Sequence, residues 1–421
     1  MSTKSSTVPM LIIGTLFFVF GFVTWLNGSL IPFLKIICQL SEFEALFVTF
    51  AFYIAYTIMA LPMSYVLNKT GYKNGMAIGL GIMVIGALLF IPAATTASFT
   101  LFLIALFTLG TGLTILQTAS NPYVVHMGPQ ESAAMRISIM GIINKTAGVL
   151  VPLFFTALIF SDINSFSHET LSELDRENLA SRLITPYIIM AITLTGLIAL
   201  VKFSNLPDLD LENNNSNTTK TSIMQFPRVI LGAIALFFYV GIEVIAGDTI
   251  GLFGSQLQVE NFTALTSYTM FFMVIGYTFG VTMIPKLISQ EKALILSAAL
   301  GVVFLIGVLS SSSDSTTISS ALWGWSGIAT LPDPITFVAL LGLSNALIWP
   351  TIWPLALQGL GRHTAQGSAL LIMGIAGGAF LPLLFGKMAE LSSMQNAYMV
   401  GVACYGFILY YALKGHKKES W

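Results

Sequence analysis

Charge is what this chain lacks. Of 421 residues only 9% are Asp, Glu, Lys or Arg, and the net charge is −1. A soluble domain carries about 25% charged residues, so a soluble globular fold is excluded. The balance of signs also excludes a broadly basic nucleic-acid binder. Cysteine is almost missing. Cys38 and Cys404 lie at or in apolar segments of opposite halves, with no CxxC or Cys/His cluster. They read as small apolar fillers, not as a disulfide or as zinc ligands. The four histidines, His126, His168, His363 and His416, fall in predicted loops. No Ser/His/Asp, HExxH or phosphate-loop arrangement accompanies them, so neither an enzyme nor a cofactor is expected.

Apolar length is what the chain has, with 55% hydrophobic residues. A run of ~20 such residues spans a bilayer. Twelve runs are predicted, at 9–33, 43–67, 75–94, 99–126, 134–160, 184–204, 228–253, 263–288, 293–312, 334–358, 366–387 and 394–414. The expectation is an all-α membrane protein of twelve spans. The first run follows Lys4, lacks a small-residue cleavage site and reads as an anchor, not a signal peptide. With both termini and the even-numbered loops placed in the cytoplasm, 13 Lys and Arg fall on that side and 4 on the other. That bias orients the chain and turns the acidic loop 161–183 outward.

The two halves repeat. Leu16-Phe17-Phe18-x-x-Gly21 in span one returns as Leu236-Phe237-Phe238-x-x-Gly241 in span seven. Ile139-Met140-Gly141-Ile142 in span five returns as Ile372-Met373-Gly374-Ile375 in span eleven, and Gly128 and Gly361 precede these by the same offset. Parallel repeats related by an axis along the membrane normal are expected, with a substrate site between them near the midplane. The polar stretch 205–225, with Asn213 to Asn215 and Asn217-Thr218-Thr219, reads as a cytoplasmic linker. It joins a six-helix bundle over 1–204 to another over 226–421. Glycines at small-xxx-small spacing in spans three, eight and eleven fit close helix contact.

Polar residues inside the spans mark the candidate site. A charge at mid-bilayer costs about 2.5–3.5 kcal/mol on insertion scales and faces a cavity or a partner. Three qualify: Lys145 in span five, Glu243 and Asp248 in span seven. The amides are Asn27, Gln117, Asn121, Asn144, Asn345 and Gln358. Singly, a membrane amide is a helix–helix hydrogen bond. As a set they occupy spans one, four, five and ten, which with span seven respects the repeat and indicates a shared cavity. Amides and carboxylates offer donors and acceptors to a neutral, hydroxyl-rich cargo. Trp349 and Trp353 on span ten, and Trp25 beside Asn27, would stack on a sugar ring or else sit in the interfacial belt.

At this point the residues resemble a family. Gln117-Thr118-Ala119-Ser120-Asn121-Pro122-Tyr123, followed by Gly128-Pro129, is similar to the span-four motif of the fucose–galactose–glucose symporters of the major facilitator superfamily. Asn27-x-x-Leu30-Ile31-Pro32, Lys69-x-Gly71-Tyr72-Lys73-x-Gly75 and the segment from Arg136 to Asn144 also match. The resemblance covers nearly the whole chain. It implies the two-bundle facilitator fold and cation-driven hexose uptake across a bacterial inner membrane. Glucose or galactose is favoured, with N-acetylglucosamine or mannose as alternatives. It also implies Asn144 as a sugar contact. A monomer with a small-molecule sugar, lipid and no nucleic acid as its partners is expected. A drug or organic-cation antiporter and a non-transporting sugar sensor stay open.

The departures from the family are informative. Fucose-transporting members carry Asp where this chain has Gly28 and Glu where it has Gln117, and those acids are associated with proton coupling. By the repeat, position 28 pairs with Asp248. The coupling acid is therefore expected on span seven, at Glu243 or Asp248, with Lys145 neutralising one of them. Glu243, ~22 Å along the span against ~30 Å for Asp248, is the deeper and favoured of the two. Loss of the family's acids tips the coupling ion toward Na⁺ near Glu243 or Asp248, with H⁺ as the alternative.

Overall fold

Apolar sequence in lipid must satisfy its own backbone hydrogen bonds, and helices do so within one segment. The computed structural model describes residues 7–126, 133–159, 172–204, 223–284, 286–358, 360 and 364–421, and it has no strand among them. Twelve helical spans are long and apolar enough to cross a membrane. They are α1 (Pro9–Cys38), α2 (Glu42–Ala60), α3 (Lys69–Thr95), α4 (Phe99–Ser120), α5 (Arg136–Ala157) and α6 (Asp175–Phe203). The second six are α7 (Pro227–Asp248), α8 (Phe262–Met283), α9 (Gln290–Ser310), α10 (Asp333–Leu357), α11 (Leu370–Leu391) and α12 (Met394–Lys417). Side chains such as Leu11, Ile58, Ile85, Phe154, Ile192, Val303 and Ile306 are exposed on the bundle surface, where lipid rather than water would meet them. The chain is a multi-pass membrane protein.

The spans run where the apolar runs predict, with differences at the ends. Span one continues to Cys38 because Lys35, which interrupts the apolar run, is carried on the helix by an ion pair with Glu42. Spans two and three are joined without a loop. The helix passes from Phe47 to Thr95 with one non-helical residue, Gly71 at φ 76° and ψ 168°, a conformation open to glycine. Lys73 Nζ ties this corner to the end of α6 by donating to the Ser204 carbonyl, 2.6 Å away. The α6 region opens with a separate short helix, Glu173–Ser181, in which the Ser172 hydroxyl caps the end by accepting from the Asp175 N–H. A further short helix, Thr317–Trp323, lies in what the sequence reads as a loop. Of the linker, residues 205–222 lie outside the described residues, and Ile223–Gln225 forms a short 3-10 turn leading into α7.

Packing follows the repeat. α1 lies against α5 as α7 lies against α11, and α2 against α4 as α8 lies against α10. The halves meet through α5–α8 and α2–α11, two contacts that the repeat interchanges. Twelve spans leave both chain ends at one face, here the near end. The bonds joining the halves cluster at the far end. Ser29 Oγ donates to the Thr263 carbonyl at 2.5 Å, and the Thr156 and Thr263 hydroxyls are 2.8 Å apart. Ser267 Oγ donates to the Val149 carbonyl at 2.6 Å, and the rings of Phe50 and Phe380 meet at 5.8 Å. At Gly28 a Cβ would fall on Thr266 Oγ1 and 2.9 Å from the Gly247 carbonyl, so α1 and α7 cross where no side chain fits. The structure is closed at its far end.

Candidate substrate chamber

Below that closure a cavity of about 160 Å³ lies between the halves. Its wall takes residues from α1, α2, α4 and α5 and from their repeat mates α7, α8, α10 and α11. The remaining spans pack behind these helices.

The chamber holds one charged pair, and the pair bridges the halves. Lys145 Nζ of α5 is 2.8 Å from Glu243 Oε1 of α7, and both side chains are about nine-tenths buried, at 9% and 10% exposure. Tyr239, one turn earlier on α7, donates its hydroxyl to the same oxygen at 2.8 Å. The ammonium also stands 4.0 Å above the Trp25 ring, where the ring's negative face attracts it. Glu243 is thus neutralised, and the site as a whole is polar without a net charge.

The amides are held by aromatic donors and acceptors. Trp25 Nε1 donates to Asn144 Oδ1 at 3.3 Å, and Asn144 Nδ2 donates to the Phe17 carbonyl at 3.3 Å. Gln117 Nε2 donates to the Tyr56 hydroxyl at 2.9 Å. Each primary amide can make about four hydrogen bonds, so both keep capacity for a cargo. Trp349 lines the chamber. Trp353, one turn on, stacks behind it with centroids 5.3 Å apart at 27°. Pro350 is on the wall as well, and α10 is broken into Asp333–Asn345 and Ile348–Leu357.

Six expected site residues therefore come together: Trp25, Gln117, Asn144, Lys145, Glu243 and Trp349. Others do not line the cavity. Asn345 is fully buried and accepts from the Tyr405 hydroxyl at 2.6 Å, a bond between α10 and α12. Asn27 is 1% exposed, and among the described residues neither of its amide atoms has a hydrogen-bond partner. Trp353 is a support and not a wall residue. Gln358 is exposed at the end of α10. The side chain of Asn121 lies outside those described. Asp248 is sealed in the far-end contact, away from the chamber. Sequence reading missed four tyrosines of the wall, Tyr53, Tyr56, Tyr239 and Tyr277. They count toward the apolar runs, which hides their hydroxyls. The one-turn spacings of Tyr53 with Tyr56 and of Tyr239 with Glu243 are the signals that would have found them.

Three comparisons with known proteins bear on this arrangement. The family model described as Major Facilitator Superfamily matches residues 13–382. The chain belongs to that superfamily. Among its relatives is the glucose/galactose transporter of Brucella abortus, 34% identical over 411 residues, covering 96% of this chain and 92% of the other. The putative glucose/galactose transporter of Helicobacter pylori is 32% identical, with both chains covered completely. The L-fucose-proton symporter of Escherichia coli is 26% identical over 97% of this chain and 93% of its own. This facilitator therefore sits in the fucose–galactose–glucose symporter branch that its span-four motif indicates. Solved structures agree on the fold. FucP in its outward conformation superposes with a TM-score of 0.71 at 23% identity, covering 97% of this chain and 99% of that one. The inward-open xylose transporter XylE of E. coli gives 0.66 at 13% identity, over 97% and 96%.

Proposed function

We propose that this facilitator carries a hexose, glucose or galactose, into a bacterial cell across its inner membrane. A cation gradient drives the uptake, and the chamber between the halves is the sugar site. One observation carries this reading: eight repeat-related spans enclose a chamber that offers amides, tyrosine hydroxyls and a tryptophan face, with its single charged pair already neutralised. A neutral polyol fits that chemistry. A cationic drug does not, because Lys145 has taken the carboxylate it would need. The relatives' printed names support the same choice of cargo. With both termini in the cytoplasm, as the Lys and Arg bias requires, the far end faces outward. One chain contains both halves of the site, so a monomer suffices, and transport needs no chemistry on the sugar.

The coupling ion is read as H⁺. Relatives at 25–26% identity are named proton symporters. A bare Na⁺ needs several converging oxygens, whereas a proton needs one carboxyl. The direct experiment is equilibrium binding of labelled glucose and galactose to the purified protein. Gln117→Ala and Asn144→Ala should each weaken binding about tenfold, the loss of one or two hydrogen bonds at ~1 kcal/mol apiece. Unchanged affinity in both variants would place the sugar elsewhere.

A further inference from the structure

Asp248 does something the chamber does not require. It ends α7 at the far end, five residues and about 7.5 Å beyond Glu243. Its side chain is completely buried. Oδ2 stands 3.5 Å from the Thr49 hydroxyl of α2, in the opposite half, and among the described residues Oδ1 has no hydrogen-bond partner.

Its surroundings combine the closed contact with packing inside the second half. The neighbouring Gly247 carbonyl meets α1 at Gly28 and accepts from the Thr266 hydroxyl of α8 at 2.7 Å. On the other side the Thr249 hydroxyl is 2.9 Å from the Tyr398 hydroxyl of α12. The ionisable groups that act on Asp248 are Lys145 of α5 and Glu243 of its own helix, and it acts in turn on Tyr53 of α2. Lys145 and Glu243 are paired with each other, so their fields at Asp248 oppose. Among the described residues no cation forms an ion pair with it.

An ionised carboxylate sealed in this way, with one oxygen unpartnered, is strongly disfavoured. A neutral carboxyl is not under that penalty, and neither is a carboxylate in water. Parting α1 and α2 from α7 would admit water to Asp248, and bringing them back would exclude it.

We infer that Asp248 is a proton-binding site that governs closure of the far end. With that end open, the carboxylate takes a proton from the water beside it. The carboxyl O–H bond forms as one O–H bond of a hydronium ion beside it breaks, leaving water, and no other bond changes. The neutral carboxyl can then be buried between Thr49 and the α1–α7 crossing. Each closure therefore carries one proton from that side. Since the closed form holds one proton more than the open form, closure weakens as pH rises, by up to about tenfold per pH unit. This rests on the transport reading for its purpose but not for its test, which uses no sugar.

The test is a spin-label distance measurement on the full chain in lipid, with Cys38 and Cys404 changed to alanine. Labels go on cysteines placed at Asn178 and Leu391, exposed far-end residues of opposite halves. The short, closed-state distance should dominate at acid pH and give way to a longer one at alkaline pH. In Asp248→Asn, neutral at every pH, the short distance should persist throughout. A wild-type distribution that ignores pH would overturn the inference, and that titration decides the matter even if the variant fails to fold. So would an Asp248→Asn distribution that follows pH as the wild type does. Failure of sugar binding would leave both results untouched.

Discussion

At the scale of single residues the chamber turns on the Lys145–Glu243 pair. Two charges within a membrane bundle are tolerable together and costly apart: removing one partner of a buried pair costs about 3–5 kcal/mol. Glu243→Gln or Lys145→Met alone should therefore lower the thermal midpoint of the purified protein well below that of the double variant. Melting curves of the three would check this, and additive losses would count against the pair. The tryptophans separate in the same way. Trp349→Phe removes a chamber wall and should weaken sugar binding about tenfold. Trp353→Phe changes only the ring behind it and should cost less than about threefold, since one aromatic contact is worth ~0.5–1.5 kcal/mol. A binding isotherm for each variant decides between them. That Trp349 faces the chamber while Trp353 backs it could not be read from a one-turn spacing, which places both on one helix face without saying what each meets.

At the scale of elements, the sequence made the helices legible and left the crossings obscure. Twelve apolar runs and two internal echoes were enough to place the spans and pair α1 with α7 and α5 with α11, because bilayer thickness and backbone hydrogen bonding leave few alternatives. Breaks were harder to see. The interruption of α10 after Asn345 falls inside a run that looks continuous, and the corner at Gly71 falls in a break between two runs that the helix nevertheless bridges. Amides were ambiguous for a related reason: Asn345 and Asn144 have the same chemistry and similar depth, yet one bonds Tyr405 within the second half and the other lines the chamber. Gly28 shows what a crossing demands. Gly28→Val would set a branched side chain against Thr266 and the Gly247 carbonyl, and overpacking of this kind costs about 1–3 kcal/mol. The far end should then favour its open state. The expected result is uptake reduced about tenfold or more, with the spin-label pair at positions 178 and 391 shifted to the longer distance. Normal uptake by this variant would mean that α1 and α7 need not approach.

At the scale of the whole molecule, the repeat does more than duplicate helices. The wall of the chamber is made from equivalent spans of both halves, and the contacts between halves, α5–α8 and α2–α11, are interchanged by the same symmetry. Two rigid bundles that touch at one end and part at the other can swap those ends by rocking about the chamber. In the structure the far end is shut, and the Lys145–Glu243 bridge stays at mid-depth between the bundles. Sugar entering from the far side would meet the chamber after that end opens, and would leave after it closes.

Uptake of labelled glucose by the purified protein in liposomes tests this most directly, with an inward proton gradient or an inward Na⁺ gradient imposed separately. Concentrative uptake is predicted under the proton gradient, abolished by a protonophore and by Gln117→Ala with Asn144→Ala, and absent under Na⁺ alone. Accumulation that follows Na⁺ and ignores the proton gradient, or that survives the loss of both chamber amides, would contradict the account.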